Sequence, residues 1–306
     1  MGLFHFLRRK KQHIPFIWEP TPVLTAPSDE MDADGRRRTD VPYLLPNNEQ
    51  ERQRLDFQHF LLRLVLSGNC FAPVYDLLCR GGNVLDVGCG TGKWGQEIAT
   101  AYPKARVIGF DVADMQRTAS PLLNYQFSQG NVLNGLPFAA HTFDYVHQRL
   151  LVAGIPLDTW PWVVAELRRV TRPDGWIELV EMGTTFHHVG PATQQWIAWW
   201  MAICALRGID ASKMSQIGLL LKHAGLCNIR VETKTLPVGN WGGRIGRLLA
   251  QDMLSGWPST RPLAQTLLGV PAEAFEQVMS QLEREWNSYH TTYELYLAYG
   301  QVESHT

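Results

Sequence analysis

The stretch Val84-Leu85-Asp86-Val87-Gly88-Cys89-Gly90-Thr91-Gly92 constrains this chain more than any other. A short apolar run meets three glycines at alternating positions, and Lys93–Ala101 then reads as a helix. Glycines let the backbone turn sharply and approach a ligand without a Cβ clash. The start of the helix offers unpaired N–H groups. Spacing separates the ligands such a turn can serve. A dinucleotide fingerprint, counted from Gly88, needs a third glycine where Lys93 stands. No Gly-Lys-Ser/Thr closes the turn, which excludes a phosphate-cradling loop. Asp86 at the strand end would repel a pyrophosphate and suits a ligand that carries an ammonium group.

Strands and helices alternate around this turn. Asn83–Val87, Arg106–Phe110, Leu123–Ser128, Phe143–His147 and Trp176–Met182 read as strands, and Thr159–Val170 as a helix. The alternation predicts right-handed crossovers and a mainly parallel sheet. Ahead of it, Asn48 with Glu51 three residues on has the pattern of a capping box. The helix it opens carries Leu55, Phe60, Leu61 and Leu64 and is closed by Gly68 and Asn69. Ala72–Cys79 reads as a short second helix. Beyond the sheet, Thr193–Leu206, Lys213–Ala224, Arg244–Leu254, Pro262–Leu267 and Ala272–Trp286 are predicted helices, and Ile229–Leu236 and Tyr293–Gln301 strands. Residues 1–40, with four prolines and the run Arg36-Arg37-Arg38, show no apolar period and read as a flexible arm.

Of the 306 residues 45% are hydrophobic, enough for a full core, and the net charge of −1 provides no global field for nucleic acid. The five cysteines, Cys70, Cys79, Cys89, Cys204 and Cys227, include no CxxC pair. That argues against a disulfide framework or a structural zinc and for a reducing, cytoplasmic setting. No apolar run approaches the ~20 residues of a membrane span. Met1–Lys11 places its apolar part before its basic part, the reverse of a signal peptide, and Phe6 stands where a myristoylation pattern wants Ser or Thr. Phe4, Phe6 and the basic cluster allow a weak membrane-surface contact; an exposed tail is the simpler reading.

The segments VLDVGCGTGKWGQEIA (84–99), ARVIGFDVA (105–113), NVLNGLPFAAHTFDYVHQRLL (131–151) and ELRRVTRPDGWIELVEMG (166–183) resemble the class I S-adenosylmethionine-dependent methyltransferases. A narrower likeness, through Tyr43–Glu49, Arg54–His59, Val146–Leu151, Leu236–Trp241 and Tyr299–Gln301, is to the subgroup typified by fungal regulators of secondary metabolism. The resemblance implies an α/β, Rossmann-like three-layer sandwich. Its mainly parallel seven-stranded sheet would end in an antiparallel strand, with N-terminal helices and a helical insertion. It implies one methyltransferase domain over residues 41–306, with a cofactor-binding core at 80–183 and acceptor-pocket additions at 184–210 and 239–289. S-adenosylmethionine would be the cofactor and S-adenosylhomocysteine the product. Asp86, Gly88, Cys89, Gly90 and Gly92 would hold the methionine part. Asp111, about twenty residues past the turn, would bind the ribose hydroxyls, with Val112 packed on the adenine; a cap for a helix at Ala113–Gln116 is the lesser alternative. Asn131 and Val132 would flank the adenine, although a lone loop Asn also serves to stabilise a turn. Gln148 would face the cofactor near the methyl donor, and Tyr43 would close over it.

Methyl transfer requires alignment and exclusion of water, and a base only if the acceptor is protonated. Candidate bases follow the fourth and fifth strands: His147, Glu181, His187 and His188. His187 and His188 lead because an imidazole titrates near neutrality, against the plain alternative of an exposed loop pair. His147 equally fits a satisfied histidine at a strand end, and Glu181 an ordering carboxylate. Adjacent histidines and the lack of an HExxH predict no metal site. Trp196, Trp199 and Trp200 could wall a flat acceptor, but their spacing is that of any buried helix face, and core packing is the favoured reading. The expected function is methylation of an O, N or C nucleophile of a small molecule, with no nucleic-acid partner. The alternative is a cofactor-binding regulator of the same fold, acting through protein partners by way of its charged arm.

Overall fold

The sheet grows outward from β1 (Asn83–Val87), whose residues alternate between two apolar layers. Val84 packs with Trp94, Ile98, Val107 and Tyr145 on one face, and Leu85 with Ile108, Val146 and Leu167 on the other. A strand covered on both faces reads as a continuous apolar run, which is why only Asp86 interrupts it. The computed structural model describes residues 48–116 and 122–304. Parallel to β1 lie β2 (Arg106–Asp111) on one side and β4 (Phe143–Arg149) on the other. With β3 (Tyr125–Gln129), β5 (Thr171–His187), β6 (Leu226–Pro237) and β7 (Thr292–Val302), the seven strands run in the order β3-β2-β1-β4-β5-β7-β6. Only β7 is antiparallel, inserted between β5 and β6. The order reverses direction between β1 and β4, and ligands in open α/β sheets bind beyond the carboxyl ends of the strands at such a point.

Nine α-helices are present among the described residues: α1 (Glu49–Leu66), α2 (Tyr75–Arg80), α3 (Lys93–Ala101), α4 (Trp160–Val170), α5 (Pro191–Ala205), α6 (Ile217–His223), α7 (Gly243–Gly256), α8 (Arg261–Leu268) and α9 (Ala272–Tyr289). A further apolar cluster joins α1, α5, α7 and α9 to the sheet through Leu61, Leu62, Trp196, Leu249, Leu282 and Trp286. The start of α5 has no side chain of its own to cap it, and Glu285 from α9 fills that role. Its carboxylate accepts the N–H groups of Ala192 (2.9 Å) and Thr193 (3.0 Å) and the Thr193 hydroxyl (3.0 Å). A carboxylate at a helix N-terminus satisfies orphan donors and complements the helix dipole.

Several local expectations are corrected. Asn48 caps α1 by accepting the Glu51 N–H at 2.9 Å, but the reciprocal half of the box is not made. The Glu51 carboxylate instead grips Arg54 at 2.6 Å. The second helix starts at Tyr75 rather than Ala72, because the Phe71 and Ala72 N–H groups are spent on Glu178, each at 2.6 Å. The predicted helix at Lys213–Ala224 is a 3-10 turn over Ala211–Gln216 followed by α6. Asp210 caps the turn through the Ser212 N–H at 3.0 Å. No helix forms at Ala113–Gln116. The N-terminal arm, its membrane contact and Tyr43 lie outside the described residues.

Because Glu285 caps α5 from a distant helix, Glu285→Ala should lower stability by about 2 kcal/mol, the scale of a lost cap plus charged hydrogen bonds. A drop in the denaturation midpoint with unchanged m-value is the readout.

Candidate active site

Asp86 is 3% exposed near the end of β1. A carboxylate this deep needs a partner, and His147, its registered neighbour on β4, donates from Nδ1 at 2.8 Å. The imidazole is held flat against Trp94, with ring centroids 3.8 Å apart and planes within 4°. Trp94 is pinned in turn by its indole N–H on the Asn69 carbonyl at 2.7 Å. The other Asp86 oxygen has no hydrogen-bond partner among the described residues.

The glycine turn wraps over the end of β2. Gly88 and Cys89 both donate to the Phe110 carbonyl, and Gly90 donates to the Asp111 carboxylate at 2.9 Å. Gly88, Gly90 and Gly92 have φ of 69°, 53° and 72°, a region other residues adopt only under strain. At Gly92 an added Cβ would also strike the Gln116 carboxamide at 2.2 Å, whereas at Gly90 it would meet only Leu55, at 3.6 Å. The backbone at Gly90 is therefore bare on the side that faces α1. Burial pushes the Cys89 thiol well above the usual range, so it is a packing group rather than a nucleophile.

A cavity of about 210 Å³ opens here. One end is formed by Asp86, Gly88, Cys89, Gly90 and His147. The other is formed by Met182, Phe186, Trp196, Trp200, Met253 and Trp257. Trp196 and Trp257 stack with centroids 3.3 Å apart, and Trp200 lies parallel to Trp196 at 5.9 Å. Trp199 does not line the cavity and stacks on Phe275 instead. Helix α1 roofs the space. Asp56 accepts the Thr91 hydroxyl at 2.6 Å, and Arg54 and Gln58 reach Asp252 of α7 at 3.2 and 2.9 Å.

A family model described as a methyltransferase domain matches residues 84–175. The N-methyltransferase verN of Clonostachys rogersoniana is 24% identical over 273 residues, spanning 85% of this chain and 91% of verN. The methyltransferase pytC of Aspergillus terreus is 33% identical over 140 residues, 45% of this chain and 41% of pytC. The secondary metabolism regulator laeA of Aspergillus flavus is 29% identical over 208 residues, 65% of this chain and 54% of laeA. The chain belongs to the class I S-adenosylmethionine-dependent methyltransferases.

Within this methyltransferase the sequence candidates fall into three groups. Asp86, Gly88, Cys89, Gly90 and His147 meet at the cavity wall; Gly92 lies one residue beyond Thr91, at the start of α3. Asp111, Val112, Asn131 and Val132 stand behind the turn and do not line the cavity. Asp111 accepts Gly90 and Ala113 N–H groups, and burial raises its pKa against those bonds. Asn131 accepts the Leu133 N–H at 3.0 Å as a turn stabiliser. The third group is corrected by the geometry. Gln148 is fully buried and points away from the cavity, toward Glu181 at 3.5 Å, because it follows His147 on a strand and neighbours alternate faces. His187 is exposed and hydrogen-bonded through Nε2 to Glu294 at 2.9 Å, and the exposed His188 occupies the turn after β5 with φ 53°. Neither histidine reaches the cavity. Unanticipated lining residues are Arg54, Gln58, His59, Arg149 and Asp252. For Arg149 the signal was present: it is two residues beyond His147 on the same strand face.

Glu181 is the remaining base candidate. It is fully buried and accepts the Leu151 and Val152 N–H groups at 3.0 and 3.1 Å, which anchors the loop after β4. Burial pushes its pKa up to about 8 in spite of those donors. A folded-state pKa above the unfolded value means the native protein binds more protons between the two. Stability should therefore fall as pH rises from about 4.5 to about 8 and level off above, the range set by the ordinary Glu value and the raised one. The melting-temperature difference between Glu181→Gln and the wild type should shift in favour of the variant across that window; a constant difference would show that Glu181 is ionised throughout.

Proposed function

We propose that this methyltransferase transfers the methyl group of S-adenosylmethionine to an O, N or C nucleophile of a small-molecule acceptor in secondary metabolism. One observation carries the reading: a single cavity joins Asp86 and the bare glycine turn to a wall of tryptophan, methionine and phenylalanine. The fit to the cofactor rests on the unpartnered oxygen of Asp86 and the open backbone at Gly90. When bound, S-adenosylmethionine supplies a methyl group on a sulfonium whose departure leaves a neutral thioether. The residues of the chain then have chiefly to bind, align and exclude water.

In this reading Asp86 holds the ammonium of the methionine part, and Gly88, Cys89, Gly90 and Gly92 bring backbone against it. His147 fixes the Asp86 carboxylate and is a positioning residue rather than the base. Asp111 and Val112 serve the ribose and adenine, with Asn131 and Val132 beyond. Each Asp111 oxygen accepts one backbone N–H and keeps a lone pair for a hydroxyl. The residues numbered 184–210 and 239–289 form the acceptor end. Asp252 is the carboxylate lining that end among the described residues, and it is tied to Arg54 and Gln58. A flat, apolar acceptor whose attacking atom needs no deprotonation suits such a wall, and the name of verN favours nitrogen. The five unpaired thiols support a cytoplasmic location. Among the described residues no helix is long and apolar enough to cross a membrane.

Calorimetric titration of S-adenosylhomocysteine tests the cofactor end. Wild type should bind, and Asp86→Ala should weaken binding at least about tenfold, or ~1.4 kcal/mol. A folded wild type that binds neither S-adenosylmethionine nor S-adenosylhomocysteine would sink the reading. The acceptor end is tested with labelled methyl donor and a panel of aromatic amines. Trp257→Ala should keep S-adenosylhomocysteine affinity and lose turnover.

A further inference from the structure

Arg149 ends β4 as a cation on the cavity wall with no ion-pair partner among the described residues. One of its Nη atoms donates to His59 Nδ1 at 2.9 Å, and no carboxylate of the described residues lies within ion-pair distance. His59 accepts that bond through a neutral imidazole. Burial and the neighbouring guanidinium hold its pKa down, and its Nε2 lies 3.1 Å from Glu97, off the line of a good hydrogen bond. The contact therefore orients the guanidinium without offsetting its charge. Burial also lowers the Arg149 pKa, against the more distant pull of Asp86 and Glu178. A half-buried guanidinium that faces the cavity with most of its donors unpaired among the described residues is set to receive an anion.

The position of Arg149 identifies the anion. Asp86 is registered opposite His147, and Arg149 lies two residues further along the same strand face. Two residues along a strand is roughly 6.6 Å. An unpartnered carboxylate oxygen and a guanidinium with no ion-pair partner among the described residues, on one cavity wall, match the two charges of an α-amino acid. An ammonium would sit on one and a carboxylate on the other. We propose that Arg149 binds the α-carboxylate of the cofactor's methionine moiety, with His59 as its positioning residue. The inference rests on the reading of Asp86 as the ammonium partner. The guanidinium fork presents two parallel N–H groups to a carboxylate, a geometry a lysine does not reproduce. The same chemistry in an acidic acceptor is the rival source, and the ligands below separate the two.

The test compares binding of S-adenosylhomocysteine, its decarboxylated analogue, which keeps the ammonium, and 5′-methylthioadenosine, which has neither charge. Titrations are made with wild type, Arg149→Leu and Arg149→Lys. Wild type should favour S-adenosylhomocysteine over the decarboxylated analogue by about tenfold to a hundredfold, the scale of a charge-assisted hydrogen-bonded pair. Arg149→Leu should lose that preference while binding 5′-methylthioadenosine as wild type does, which also shows that the variant is folded. Arg149→Lys should keep part of the preference. An undiminished preference in Arg149→Leu, or none in wild type, overturns the assignment to the cofactor and leaves the Asp86 site standing. If wild type binds none of the three ligands, the cofactor site itself is misplaced and the inference falls with it.

Discussion

The hydrogen bond between His147 and Asp86 is the constraint on which the site depends. It crosses the seam between β1 and β4, where the strand order reverses and the crossover helices part to leave a crevice. A lone carboxylate buried there would carry a large desolvation cost, and the imidazole offsets it on one oxygen only. Trp94 then removes the freedom of the imidazole by stacking on it, and Asn69 removes the freedom of Trp94. The chain from the loop after α1 through α3 to β4 thus aims one acidic oxygen at the cavity before any ligand arrives. Such preorganisation lowers the ordering cost on binding.

Much of the fold was legible because local signals agreed. The glycine turn, the alternation of strands and helices, and the span Lys93–Ala101 all appear where pattern places them. Agreement across levels is what makes a sequence specify one fold. Where the prediction slipped, long-range bonds had displaced local ones. Glu51 abandons its capping box for Arg54, because Asp252 on α7 draws both into one buried network. Phe71 and Ala72 give their amides to Glu178, over a hundred positions away, and delay α2. Nothing within a few residues of either site announces Asp252 or Glu178.

The site was legible to a lesser degree, and the residues show why. A motif gives positions, and a strand converts positions into faces with period two. Gln148 was drawn to the cavity by its place after the fourth strand, whereas alternation sends it into the core with Glu181 and gives the wall to His147 and Arg149. The histidine pair after the fifth strand looked apt by titration chemistry, yet β5 runs far enough past the sheet crevice to carry it into solvent. The tryptophans divide between both expectations. Trp199 is packing, while Trp196 and Trp200 also face the cavity. Helical spacing alone does not distinguish a core from a wall when the core encloses a cavity.

The position of β7 bears on how the molecule assembles. It lies between β5 and β6, yet it is reached only after α7, α8 and α9. Until it enters, β6 has no neighbour to pair with, and β5 presents an open edge along most of its length. The half of the sheet that begins at the glycine turn needs only near neighbours in the chain, whereas the other half closes through contacts of long sequence separation. Loop closure of that kind is slow, and unpaired edges invite association with other chains. Folding should therefore run from the cofactor half toward the acceptor half, with the acceptor wall completed last.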